Sequence, residues 1–99
     1  MHAVPAAKVL VRDPKDISKL LLITRYVNGT YYYEPAGGKV EVDYEQQTAE
    51  TLEDCAICEA HEELGVSVSI DRYLGSYYFF WAIDQNKCSS CALFLARHY

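Results

Sequence analysis

The sequence predicts an α+β fold on three observations. Short runs rich in β-branched and aromatic residues recur along the chain, turn-forming clusters separate them, and one amphipathic helical pattern interrupts them at Thr51–Leu64. Ninety-nine residues is room for a single domain, 1–99, with a modest core. Half the residues are apolar and nine are tyrosines, the composition of a folded globule rather than a disordered tail.

Ala6–Arg12 and Lys19–Arg25 are rich in Val, Leu and Ile and flank Asp13-Pro14-Lys15-Asp16, so they read as a hairpin. Asn28-Gly29 supplies residues that tolerate positive φ in a tight turn, and Thr30–Glu34 resumes as a third strand of a meander. Within it, alternation sends at least one of Tyr31, Tyr32 and Tyr33 inward, and core packing is the expected role for most of them. Pro35-Ala36-Gly37-Gly38 breaks this strand, the glycines permitting a sharp turn or a close approach to a ligand. Lys39–Glu41 reads as a short strand and Val42–Thr48 as polar loop.

In the helix, Leu52, Ala56, Ala60 and Leu64 repeat every fourth residue with Ile57 beside them, while Glu59, Glu62 and Glu63 fall on the opposite side. Thr48 or Glu50 could cap its start, and Gly65 ends it in the position favouring a left-handed cap. Val66–Ile70 and Leu74–Ile83 read as strands, Asp84-Gln85-Asn86-Lys87 as a turn and Cys91–Arg97 as the last strand. No second amphipathic helix covers the other face of the sheet.

The longest apolar run, Tyr77–Ile83, is far short of the roughly 20 residues of a membrane span. The first five residues lack the basic and apolar regions of a secretory signal. A cytoplasmic location without membrane association is the expectation. The net charge of −5 argues against nonspecific nucleic-acid binding, which needs Lys and Arg on phosphates. From Glu41 to Glu63 there are nine acidic residues and no Lys or Arg, so a phosphorylated ligand would be repelled there unless a divalent cation intervened.

Cys55, Cys58, Cys88 and Cys91 form two C-x-x-C pairs, the right number of thiols for zinc. Their context argues otherwise: Cys55 and Cys58 lie within a helical pattern, and Cys88 and Cys91 at a strand entrance read as small, partly buried residues. Glutamates spaced i, i+3 and i+4 repel one another unless something positive binds between them. A solvated acidic stripe is the bland alternative. Their hard oxygens suit Mg²⁺ or Mn²⁺, which keeps several waters and bridges to substrate phosphates.

A longer pattern surrounds these glutamates. Cys58-Glu59-Ala60-His61-Glu62-Glu63-Leu64-Gly65-Val66 resembles the second half of the Nudix signature, G-x5-E-x7-R-E-U-x-E-E-x-G-U, in which U is a bulky aliphatic residue. Pro35-Ala36-Gly37-Gly38-Lys39-Val40-Glu41 is similar to the opening of that box, and Glu50 stands eight residues before Cys58, where the first glutamate belongs. The resemblance covers Pro35–Val66, with the box itself at about 37–66. It departs from the family in three ways: six extra residues between Gly38 and Glu50, Cys58 in place of the signature arginine, and an end at Tyr99, before the usual last strand and helix.

The resemblance implies a Nudix-like α/β/α sandwich with a mixed sheet, here short of its C-terminal strand and helix. It implies hydrolysis of a pyrophosphate bond in a nucleoside diphosphate-linked small molecule with Mg²⁺ or Mn²⁺ as cofactor. Glu59, Glu62 and Glu63 and the main-chain oxygen of Gly37 would be metal ligands. Glu59, Glu62 and Glu50 form the catalytic set, Glu59 as ligand or base and Glu50 in support. Asp84 is a base candidate outside the box. Arg12 and Arg25 could meet phosphate, although solvated strand ends account for them as well. A homodimer is compatible with the reading. A catalytically silent nucleotide- or protein-binding module is the rival, motivated by Cys58 and the early terminus.

Overall fold

A computed structural model of the protein describes residues 2–80 and 86–99. The fold is α+β with a mixed sheet, as expected. Strand β1 (His2–Arg12) is central. One edge of β1 pairs antiparallel with β2 (Leu20–Leu21) and with β5 (Ala36–Lys39), and the other pairs parallel with β9 (Lys87–His98). Antiparallel β8 (Val68–Phe80) flanks β9.

Helix α1 (Leu52–Glu59) lies on one face of this sheet. Ala7, Val9 and Val11 of β1 and Ala92, Phe94 and Ala96 of β9 meet Cys55, Ala56 and Ala60 there in a single buried cluster. The small residues let helix and sheet approach closely, and the even-numbered side chains of β1, Lys8 among them, take the opposite face. Among the described residues no helix covers that second face, and none is long and apolar enough to cross a membrane.

Several expectations need correction. The meander divides: β2 joins β1, but β3 (Ile23–Val27) and β4 (Thr30–Glu34) form their own ribbon, with Tyr26 and Tyr31 ring centroids 4.8 Å apart. Tyr31, Tyr32 and Tyr33 are 65, 54 and 71% exposed, because this ribbon lies outside the sheet and buries neither face fully. Residues 42–49 are not simple loop, since β6 (Val42–Asp43) and β7 (Thr48–Ala49) pair as a small hairpin.

The helix starts at Thr51, whose hydroxyl accepts from the Asp54 N–H at 3.0 Å, and not at Thr48 or Glu50. Leu52 is exposed, one turn too early to reach the core. The final turn, Ala60–Leu64, widens to π-helix before Gly65 caps it at φ 69°. The strands expected at Val66–Ile70 and Leu74–Ile83 are one strand, β8, carried through by two bulges at which Asp71 and Leu74 lack Cα partners on β9. The far ends of the expected strand and turn, residues 81–85 with Asp84, lie outside the described residues. Strand β9 begins at Lys87 and takes in all of Cys88-Ser89-Ser90-Cys91.

Candidate active site

The two glycines do not make a turn. Both lie inside β5, in register with β1: Gly37 opposite Lys8 and Gly38 opposite Ala7. Neither has positive φ. Their necessity is steric and differs by face. A Cβ on Gly38 would point to the helix side, 2.7 Å from Cδ of Glu59 and closer still to its Oε1. A Cβ on Gly37 would point to the opposite side, colliding with the Ala7 carbonyl oxygen and the Lys8 side chain and 2.9 Å from the Lys8 Cα. Consecutive glycines thus bring a carboxylate against one face of β5 and a lysine stem against the other.

The third direction is the strand's outer edge. The Val40 N–H donates to the Pro5 carbonyl at 3.0 Å, which sets the antiparallel ladder so that Gly37 occupies a position whose N–H and C=O both face away from β1. The Gly37 N–H donates to Oε1 of Glu63 at 2.7 Å. The Gly37 carbonyl therefore opens to the same edge as the Glu63 carboxylate. The π-helical turn carries Glu63 to this edge while Glu59, one turn earlier, stays over Gly38.

Glu59 feels the crowding most. Its carboxyl is pushed up to about 7 by burial, then by the charges of Glu63 and Glu62, a hydrogen bond with Glu63 and the charge of Glu50. Glu50 also accepts from the Glu41 N–H at 2.8 Å, and the Glu50 N–H donates to the Glu41 carbonyl, fastening the base of the β6–β7 hairpin beside the helix. Of the four glutamates anticipated from sequence, the other three thus act on Glu59. They are not drawn into a finished ligand set: among the described residues no three His, Cys, Asp or Glu side chains converge closely enough to hold a metal ion. The four thiols are likewise free, with Cys58 exposed and the other three buried.

Cys58, at the signature arginine's place, carries no positive charge. Its thiol is held above its ordinary value by desolvation and by the charges of Glu50, Glu62, Asp54 and Glu59. Cys55 has a role that sequence did not signal. It is fully buried, and its Sγ lies 3.5 Å from the carbonyl oxygens of Gly38 and Lys39, tying the helix to β5. Burial, followed by a hydrogen bond to Glu50 and that residue's charge, pushes this thiol up to about 12, so it stays protonated as a donor.

On the other face of β5 lies a cavity of about 610 Å³, lined by Lys8, Arg25, Gly37, Lys39, Tyr77 and Phe79 among others. Its size suits a small ligand. Arg25 is ion-paired with Glu34 and also feels the charge of Glu63, so it stands at the junction of the two compartments. Arg12 pairs in register with Leu20 and Arg97, away from this cavity. A second hollow of about 640 Å³ at the β6–β7 hairpin is lined by Glu41, Asp43, Glu45 and Glu50, and its charge opposes an anionic ligand.

Solved structures share this architecture. A NUDIX hydrolase from Nitrosomonas europaea superposes with TM-score 0.76 at 17% identity, over 99% of this chain and 60% of that one. The E. coli ORF135 protein superposes with TM-score 0.70 at 22% identity, over 96% of this chain and 61% of that one. The chain thus spans about 60% of the length of either structure. No curated protein matches its sequence. The family model of the NUDIX domain matches residues 2–98, and by that match the chain belongs to the NUDIX family.

Proposed function

We propose that this protein hydrolyses a pyrophosphate bond in a nucleoside diphosphate derivative with Mg²⁺ or Mn²⁺. The observation that carries the reading is the Gly37 N–H donating to Glu63 at 2.7 Å while Glu59 lies against Gly38, so that two carboxylates and a main-chain oxygen adjoin the same glycine pair. The donor set fits a hard cation: every candidate ligand is oxygen, and burial together with the charges of Glu63 and Glu62, which raise Glu59, is what a bound cation would offset. Mg²⁺ commonly takes only one or two carboxylates and keeps its waters, so converged protein ligands are not required.

Glu59, Glu62, Glu63 and the Gly37 carbonyl would hold the ion. When bound, such an ion supplies charge neutralisation on the phosphates and a nucleophilic water at neutral pH. Glu63, fixed by Gly37, orients the edge, and Glu59 is placed to act as ligand or to accept a proton. Glu50 supports both from the hairpin base. A cytoplasmic location, a single-domain organisation and a homodimeric assembly accompany this reading.

Cys58 favours a second reading, a silent module that binds nucleotide without turnover. Incubation with Mg²⁺ and nucleoside triphosphates, nucleotide sugars and dinucleoside polyphosphates separates the two. Release of phosphate or nucleotide supports the hydrolase, whereas bound ligand without turnover supports the module. Cys58→Arg would set a cation among Glu50, Asp54, Glu59 and Glu62, the four carboxylates whose charges reach the Cys58 thiol, and so restore an orienting partner. It is expected to raise the rate about tenfold, the lower end of outer-shell effects, with metal affinity little changed. An unchanged rate would place the arginine's role elsewhere.

A further inference from the structure

We infer that Lys8 is a phosphate-positioning residue that grips the substrate independently of metal, from the face of β5 opposite the carboxylates. The inference rests on the proposed nucleotide substrate and adds a contact outside the box. Lys8 sits directly across from Gly37, and its side chain runs where a Cβ of that residue would lie. One glycine therefore separates the lysine stem from the Glu63 carboxylate bound to the Gly37 N–H.

The three cations lining the cavity differ in what they can offer. Arg25 is already ion-paired with Glu34. Lys39 is exposed at the end of β5. Lys8 is half-buried on the central strand, and among the described residues no carboxylate forms an ion pair with it. With its stem packed against Gly37 and no described carboxylate paired to it, the Lys8 ammonium can meet an anion entering the cavity without first breaking an ion pair. The same cavity presents Tyr77 and Phe79, two residues apart on one face of β8, as apolar surface for a ring. A ligand with a phosphate chain at the glycine strand and a planar group on the aromatics meets complementary chemistry along its length. An uncharged nucleoside would use only the aromatic part.

The test is nucleotide affinity in EDTA, by titration calorimetry on the full chain, using a nucleoside and its diphosphate for each of adenosine, guanosine and uridine. Wild type is expected to bind a diphosphate more tightly than the matching nucleoside, with affinity falling as salt rises. Lys8→Met should weaken the diphosphate about tenfold, as for one lost charge-assisted hydrogen bond, and leave the nucleoside unchanged. Lys8→Arg should restore most of the difference, and Lys8→Gln provides a second neutral variant should the methionine fail to fold. Equal diphosphate affinity in wild type and both neutral variants, or no diphosphate preference in wild type, overturns the inference even if hydrolysis with Mg²⁺ is observed. A Lys8-dependent preference without hydrolysis supports the inference and counts against the hydrolase reading alone.

Discussion

Gly37→Ala is expected to lower both stability and activity sharply, whereas Gly38→Ala should lower activity with little effect on stability. The added methyl at Gly37 meets backbone, the Ala7 carbonyl and the Lys8 Cα, on the central strand β1, and neither can move without disturbing the β1–β5 ladder. Overpacking of that kind costs about 1–3 kcal/mol, and in a domain of this size the upper half of that range lowers the melting temperature by roughly 10–20 °C. The shift also moves the N–H that holds Glu63. A displacement of about 1 Å at a positioning contact is enough for a hundredfold loss of rate.

At Gly38 the methyl meets the end of the Glu59 side chain, which can swing aside. The stability cost there should stay below about 1 kcal/mol while Glu59 leaves its place over the strand. Thermal melts and Mg²⁺-dependent turnover of the two variants check this. A Gly37→Ala protein that melts with wild type would refute the two-faced packing of β5.

Glu59→Gln is expected to move stability and activity in opposite directions. In the folded, metal-free protein this carboxyl titrates at about 7 against an ordinary 4.5, chiefly through burial and then the charge of Glu63. Between those values the folded state binds the proton more tightly than the unfolded chain. Its contribution is therefore fully present below about 4.5 and is lost as pH rises through about 7. Metal-free wild type should be less stable at pH 8 than at pH 5 for this reason.

Glutamine has no charge to repel Glu63 and Glu62, so the variant should lose most of this slope. At pH 8 it should exceed wild type by on the order of 1 kcal/mol, a figure already reduced for solvent screening of a partly exposed group. Saturating Mg²⁺ should close the gap by stabilising wild type more than the variant. Turnover should fall about a hundredfold or more, whether the lost role is ligand or base. Melts across pH 5–8 in EDTA, with and without Mg²⁺, give the answer. A variant no more stable than wild type at pH 8 would mean that the carboxylates do not crowd one another as described.

The sequence by itself determined the strand-rich character, the helix, its acidic side and the left-handed cap at Gly65, because these follow from local periodicity and from glycine's freedom at positive φ. Through resemblance it also singled out Glu59, Glu62 and Glu63 as candidate ligands, since their spacing is a property of one helical segment. What it could not determine was anything set by partners distant in the chain. The Gly37-Gly38 pair read as a break in the strand, for a sharp turn or a close approach to a ligand, because local chemistry allows either, and only its pairing with β1 reveals a strand whose two faces must be bare.

The same limit explains Tyr31, Tyr32 and Tyr33. Alternation predicts which side chains share a face, but whether that face is covered depends on which sheet the strand joins, and β3–β4 joins none. Lys8 gave no signal, and Cys55 signalled only a C-x-x-C pair and not its contact with β5, since a lysine in a strand and a cysteine in a helix are ordinary until the opposing residue is known. Tertiary structure decided them by setting one across from Gly37 and the other beneath the Gly38 and Lys39 carbonyls. The physical reason is common to all three cases: burial and charge at a side chain are fixed by what the fold places beside it, and sequence spacing carries only the part of that environment lying within a turn or a pleat.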